Sequence, residues 1–253
     1  MRAVDLRTGR VLWSTTTPVD TPPDGVVPAT VFVVADEAIV IDGATVSRLS
    51  LADGSVIAGA ATMRGLQLAP EGSHAEVTTE DGADGALRTT LVAGSGHDVT
   101  VPGIARSATA DDGSLGALLL TQDGKGALHA YDGRTGKPRW TAAVTFTGTS
   151  VVLGGTVYGP TSGGVAALDG TTGRVLWRAE VGSIETDNDL FTDGFHLLVS
   201  AIDPTRGGEL DALDKKDGHL VWHNPLPSGI GSTFYTLGNA LIGFGDSALV
   251  RIG

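Results

Sequence analysis

A chain of 253 residues with 41% hydrophobic content can bury a sizeable core, and a single all-β domain of this length is ordinary. Its net charge of −12 repels phosphate backbones and anionic membrane surfaces, which argues against nucleic acid as a partner. The absence of cysteine excludes structural disulfides and thiolate metal sites, and leaves the redox compartment open.

The opening residues Met1-Arg2-Ala3-Val4-Asp5 contain no apolar stretch of a signal peptide, and the chain has no transmembrane run of about 20 apolar residues. They lead directly into a pattern, Ala-x-Asp-x-x-Thr-Gly-x-x-x-Trp, set by Ala3, Asp5, Thr8, Gly9 and Trp13. The pattern returns with Ala130, Asp132, Gly136 and Trp140, and with Ala167, Asp169, Gly173 and Trp177. A fourth copy has Ala212, Asp214, Gly218 and Trp222, with Asp217 in place of Thr. Weaker copies at 48–54 and 90–96 and a cut-off copy from Ala248 fill the gaps. Copies therefore begin at 3, 48, 90, 130, 167, 212 and 248. This spacing, without helical periodicity, predicts six repeats of a four-stranded β-propeller blade.

Taken in order, the repeats whose copies begin at 130 and 167 show the strands most plainly. Runs at 105–110, 116–121, 127–132 and 138–144 are separated by Asp/Gly turns, and runs at 151–153, 156–158, 165–168 and 175–177 repeat them. Glycine at the fifth turn position suits a left-handed backbone, and Asp and Thr oxygens can cap the free turn amides. The period of two along the next strand puts Val175 and Trp177 on one face, so the indole is expected to lie against the neighbouring blade. All four tryptophans hold this one position. The docking residues are thus Asp5, Gly9, Trp13, Asp132, Gly136, Trp140, Asp169, Gly173, Trp177, Asp214, Gly218 and Trp222.

These residues resemble the tryptophan-docking repeat of the PQQ-like, quinoprotein-type β-propellers, and the likeness covers almost the whole chain. That superfamily includes PQQ-dependent dehydrogenases, lipoproteins that assist outer-membrane protein assembly, and extracytoplasmic sensor domains, so the fold alone does not choose a function. The dehydrogenases have a vicinal disulfide over the quinone, a calcium site and an Asp base, on longer chains. The missing cysteines leave no quinone-binding residue to carry over. The resemblance therefore implies a non-catalytic scaffold or sensor binding a protein or a cell-envelope ligand, with no cofactor. The alternative is a fragment of a PQQ-dependent dehydrogenase or of a polysaccharide-acting propeller enzyme. The family also implies an extracytoplasmic location, with the export or anchor segment outside this sequence; the alternative is the cytoplasm. Arginine outnumbers lysine, which fits a GC-rich bacterial genome.

The whole chain, 1–253, is read as one domain, its ring closed by strand 11–15 pairing with strands in 233–252. Residues 2–6 and 248–252 compete for the same third-strand slot, and further upstream blades would instead make the ring seven- or eight-bladed. Other motifs read as turns. Gly243-Phe244-Gly245-Asp246-Ser247-Ala248 mimics a dinucleotide fingerprint but opens no helix. Ser95, His97 and Asp98 lack the strained nucleophile turn of a hydrolase. His219 and His223 would stand about 13 Å apart on a strand, too far for one ion, while His74, His129 and His196 are isolated in sequence, with no metal-ligand spacing. The acidic stretches 80–85, 187–189 and 193–194 read as hairpin turns, with weak calcium binding as the alternative. Loops 17–30 and 203–208 are the expected recognition surface.

Overall fold

The structure, a computed structural model, describes residues 2–5, 7–15, 30–68, 74–80, 85–92, 98–106, 108–181, 190–203, 207–226, 230–237, 240–245 and 249–252. Among these every regular element is a β-strand. The chain forms two compact units, one of Met1–Ala105 with Gly133–Gly136, the other of Arg106–Asp132 with Lys137–Gly253.

In the first unit, β1 (Arg2–Val4) and β2 (Val11–Ser14) form an antiparallel hairpin across the first motif copy. Seven strands follow in one antiparallel sheet: β3 (Thr30–Val34), β4 (Glu37–Asp42), β5 (Thr45–Ser50), β6 (Val56–Leu68), β7 (Ala75–Glu80), β8 (Leu87–Val92) and β9 (Val99–Pro102). The long β6 pairs with β5 through its first half and with β7 through its second, joining two repeats without a turn. Register shifts between Val46 and Leu49, and between Met63 and Gly65, mark both junctions, as expected where a strand must bend and twist. The core contains Val34, Ile39 and Val46 from one repeat and Ala75, Val77 and Val92 from the next.

A short β10 (Ile104–Ala105) ends this unit. Its Ala105 amide donates to Thr78 Oγ1 at 3.2 Å, while Thr89 Oγ1 donates to the Gly103 carbonyl at 2.8 Å. Thr78 and Thr89 bond each other at 2.9 Å, so a buried hydroxyl relay satisfies a backbone turn that water cannot reach. A second buried polar group is Arg48, which donates to Glu37 from Nε at 2.8 Å and to Asp98 from Nη1 at 2.5 Å. Burial opposes the Arg48 charge, but Asp98 and Glu37 outweigh it and raise its pKa.

In the second unit, β11 (Ala108–Asp111) runs parallel to β15 (Ser150–Leu153), whereas neighbours within each repeat are antiparallel. The repeats are β12 (Leu118–Gln122), β13 (Leu128–Asp132) and β14 (Pro138–Ala142); then β15 with β16 (Thr156–Thr161), β17 (Gly164–Asp169) and β18 (Val175–Glu180). Next come β19 (Leu190–Thr192), β20 (His196–Asp203), β21 (Gly207–Asp214) and β22 (Leu220–Pro225), and finally β23 (Ile230–Leu237), β24 (Ala240–Gly245) and β25 (Leu249–Ile252). The strand runs expected at 116–121, 127–132 and 138–144 correspond to β12, β13 and β14, whereas the run expected at 105–110 divides between β10 and β11, and β11 belongs to the sheet of β15.

Burial follows position in the repeat. Middle strand β17 has five consecutive buried residues, because it is covered on both faces, while outer strand β18 is largely exposed. Two cores fill the spaces between repeats. One joins Leu120, Leu128, Ala130 and Trp140 to Val152, Val157, Ala166 and Leu168; the other joins Val151, Tyr158, Val165 and Ala167 to Leu190, Leu197, Val199 and Leu213. Removing the indole that belongs to the first core, with Trp140→Ala, is expected to cost about 3–5 kcal/mol in urea unfolding. Leu176→Ala on the exposed outer strand should stay within about 0.5 kcal/mol. Equal effects of the two would contradict this core assignment.

Candidate functional site

The best-defined constellation is the turn that follows the third strand of a repeat. In the Asp169 copy the chain reverses in five residues: the Gly173 amide donates to the Asp169 carbonyl at 2.7 Å, and the Asp169 amide to the Arg174 carbonyl at 2.8 Å. The Asp169 carboxylate accepts from the Thr171 and Thr172 amides at 3.0 and 2.9 Å. Asp5 repeats this with the Arg7 and Thr8 amides, both at 2.9 Å, and Asp214 with the Lys216 amide at 2.7 Å. The Asp132 carboxylate accepts from Arg139 at 2.9 Å. Gly9, Gly136, Gly173 and Gly218 have φ of 69°, 69°, 72° and 77°, the left-handed region that side chains with a Cβ resist.

The motif alanine stands directly across the strand pair from the tryptophan in all four copies, as Ala3↔Trp13, Ala130↔Trp140, Ala167↔Trp177 and Ala212↔Trp222. A register shift follows immediately each time. Three indoles reach the turn of a later repeat. Trp13 donates to the Leu51 carbonyl at 2.8 Å, Trp140 to Gly170 at 2.7 Å and Trp177 to Lys215 at 3.2 Å. Each acceptor lies three residues before a turn glycine, and the indole lies against that glycine. A Cβ on Gly54, Gly173 or Gly218 would come within 2.5, 2.6 and 2.6 Å of the ring. Trp177 also meets Tyr158, centroids 5.9 Å apart. At Gly136 the nearest side chain is Val99, so an aliphatic group takes the place of the indole. Trp222 packs beside Phe191, Leu198, Leu210 and Ala212.

Other candidates are drawn into turns. Asp98 is committed to Arg48, while Ser95 and His97 lie outside the described residues. Gly243 and Phe244 are in β24, paired with Val250 and Leu249, so no helix opens there. Residues 81–84, 187–189, 16–29 and 204–206 lie outside the described residues, which removes most of the acidic stretches and both long loops from view. His129 and His196 are not isolated, contrary to the sequence expectation. His129 bonds Thr141 at 3.0 Å and Asp123 at 3.2 Å, and His196 bonds Asp193 at 2.9 Å. The signal for the second was local: Asp-x-x-His around a turn.

Asp214, Asp217 and His219 bring donor atoms within 4.8 Å of one another, but His219 Nδ1 is bonded to Asp217 at 2.6 Å and Asp214 caps its own turn. Asp217 is held low by the His219 hydrogen bond, and His219 is raised by the same contact.

The expected hairpin turn at 193–194 joins β19 and β20, and what sequence reasoning missed is the role of Asp193 in it. Its carboxylate accepts from the Phe195 amide at 2.7 Å, the His196 amide at 2.6 Å and the His196 ring at 2.9 Å, and Lys215 Nζ donates to the Gly194 carbonyl at 2.5 Å. These bonds fix the backbone around Phe195, which is 79% exposed. Burial pushes the Asp193 carboxyl up, and the His196 and backbone donors more than reverse it, leaving its pKa lowered.

The family model described as outer membrane protein assembly factor BamB matches residues 42–241. The BamB of Vibrio cholerae serotype O1 is 29% identical over 119 residues, covering 42% of this chain and 31% of that protein. The matched segment therefore spans less than a third of that relative's length. BamB from Moraxella catarrhalis superposes with a TM-score of 0.60 at 19% identity, over 99% of this chain and 74% of that one. The computationally designed Ika8 protein gives 0.58 at 13% identity, over 96% of this chain and 74% of its own. Hsv2p of Kluyveromyces lactis gives 0.52 at 9% identity, over 79% and 74%. At these identities the structural likenesses speak for the all-β propeller fold.

The turn carboxylates carry a pH dependence. Thr8 holds Asp5, and Thr172 holds Asp169, below the ordinary 3.8, chiefly through the backbone amide of each threonine. Their contribution to stability is present above 3.8 and is lost as pH falls through the lowered folded value. Asp169→Ala should therefore lower the melting temperature at neutral pH, with the deficit shrinking as the pH is taken below the carboxylate range. Asp169→Asn, which keeps one acceptor oxygen, should fall between. Scanning calorimetry across pH reads this, and a pH-independent deficit would contradict the capping role.

Proposed function

The chain belongs to the family of outer membrane protein assembly factor BamB, and from that premise we propose that it is a non-catalytic β-propeller scaffold of the cell envelope that binds another protein. The single observation that carries this reading is Phe195. A large aromatic ring that stands 79% exposed, on a turn clamped by Asp193 and Lys215, is presented at little cost in ordering entropy. Rigid aromatic anchors of this kind dominate protein interfaces. The names of the relatives, which are outer-membrane assembly factors, support a protein partner and a location outside the cytoplasm. The docking residues support a mechanical role, since Asp169, Gly173 and Trp140 join in one packed contact.

The test uses a photo-crosslinking amino acid at position 195 of the full chain, presented to a solubilised cell-envelope fraction. A discrete protein adduct is expected. Phe195→Ala should weaken binding of the identified partner by about 30-fold, the loss of an anchor worth about 2 kcal/mol, with the melting temperature unchanged. No adduct at 195, or undiminished binding by the alanine variant, would overturn the assignment. Saturable binding of PQQ and calcium, with dye reduction in the presence of an alcohol or a sugar, would instead establish an enzyme fragment.

A further inference from the structure

Away from the docking turns, three side chains of the second unit form a hydrogen-bonded chain of a different kind. Thr141 stands directly opposite His129 in the β13–β14 pair. Its neighbours Trp140 and Ala142 are buried, so the alternation of the strand turns Thr141 to the exposed face. Its Oγ1 lies 3.0 Å from His129 Nδ1, and His129 Nε2 lies 3.2 Å from Asp123 Oδ2. The Tyr131 ring flanks the imidazole, centroids 6.3 Å apart.

The directions of these bonds follow from their chemistry. An ionised carboxylate only accepts, and Asp123 is held in that form, its pKa lowered by the His129 hydrogen bond first and then by the Ala127 amide. Nε2 therefore carries a proton, which leaves Nδ1 of the neutral ring as acceptor and the Thr141 hydroxyl as donor. Asp123 is itself fixed, because its other oxygen accepts from the Lys125 and Ala127 amides at 2.8 and 2.9 Å. A hydroxyl, an imidazole base and an orienting carboxylate in this order are the parts of an activated nucleophile. The amides of the same turn are committed elsewhere: those of Lys125 and Ala127 to the carboxylate, and that of Gly126 to the Asp123 carbonyl at 3.0 Å. None of these three can stabilise an oxyanion, so a reacting acyl donor has to bring its own good leaving group.

We propose that Thr141 is an acyl-acceptor site for activated donors of the thioester or aryl-ester class, with His129 as its general base and Asp123 as the residue that positions the base. The Thr141 oxygen bonds to the donor's carbonyl carbon as the bond from that carbon to sulfur or to the aryl oxygen breaks. The hydroxyl proton passes to His129 Nδ1 and from there to the departing thiolate or phenolate. The product is an ordinary alkyl ester with a poor leaving group, and without those amides at the oxyanion it persists, so the reaction stops after one acylation. Such a modification site is compatible with a non-catalytic scaffold and independent of the Phe195 turn.

The experiment incubates the full chain with p-nitrophenyl acetate at neutral pH and follows acetylation by release of p-nitrophenolate and by peptide mapping. One acetyl group on Thr141 is expected, retained in Thr141→Ser and absent from Thr141→Val. His129→Gln removes the base and should slow acetylation of Thr141 about 100-fold. Asp123→Asn keeps an oxygen for the turn amides but offers Nε2 a donor in place of an acceptor. The ring proton then moves to Nδ1, which can no longer take the threonine proton, and the rate should fall by a similar factor. Nitrogen NMR of the ring should show this exchange of tautomer, which a merely structural role for Asp123 would not produce. Acetyl groups confined to lysines or the amino terminus would overturn the proposal, as would a Thr141 rate indifferent to His129→Gln or an unchanged tautomer in Asp123→Asn. If Asp123→Asn unfolds by circular dichroism, the His129→Gln and Thr141→Ser rates decide the matter.

Discussion

The structure depends on an indole seated on a glycine turn. The interaction needs three things together: a left-handed glycine that brings the turn backbone within van der Waals reach, a carbonyl three residues earlier to take the indole N–H, and an alanine opposite the tryptophan that leaves room for the ring. Any one alone is an ordinary hairpin feature. In combination they turn a self-contained sheet into a repeat that can be stacked, because the apolar face that each sheet cannot cover itself is covered by the next. Two cores in the second unit bear this out, since each draws on two successive repeats.

That constraint explains where polar chemistry is found. With middle strands buried on both faces, ionisable side chains are pushed to the turns, where they serve the backbone. Asp5, Asp169, Asp193 and Asp214 accept from turn amides, and His129, His196 and His219 bond to the aspartates of nearby turns. Buried exceptions stand on the strands: Arg48 is held between Glu37 and Asp98, and Glu76, Glu209 and Asp211 are buried as well. A fold whose polar groups are spent on rigidity can present an exposed side chain in a fixed direction, and Phe195 is such a side chain.

Membership of the BamB family and the all-β fold agree with a reading made from spacing, glycine turns and tryptophan positions. The strands of the repeats that contain Trp140 and Trp177 were legible because Asp/Gly turns bracket them. The join at β6 was not, since a strand that serves two repeats has no turn to announce it and its bends arise from register shifts. The clamp around Phe195 was overlooked for a related reason: Asp193-Gly194 reads as a generic hairpin, and the contact from Lys215 comes from 21 residues away.

The sequence by itself determined the strand-and-turn alphabet, the all-β class and the positions able to carry an indole, because a glycine turn and a period of two are local properties of a few adjacent residues. Tertiary structure decided where each indole goes: to acceptors 38, 30 and 38 residues downstream for Trp13, Trp140 and Trp177. It also decided that Val99 takes the indole's place at Gly136 and that Asp98 belongs to Arg48. Those pairings depend on which surfaces come together once the strands have formed, and a side chain's partner across a sheet interface leaves no mark on its neighbours in sequence.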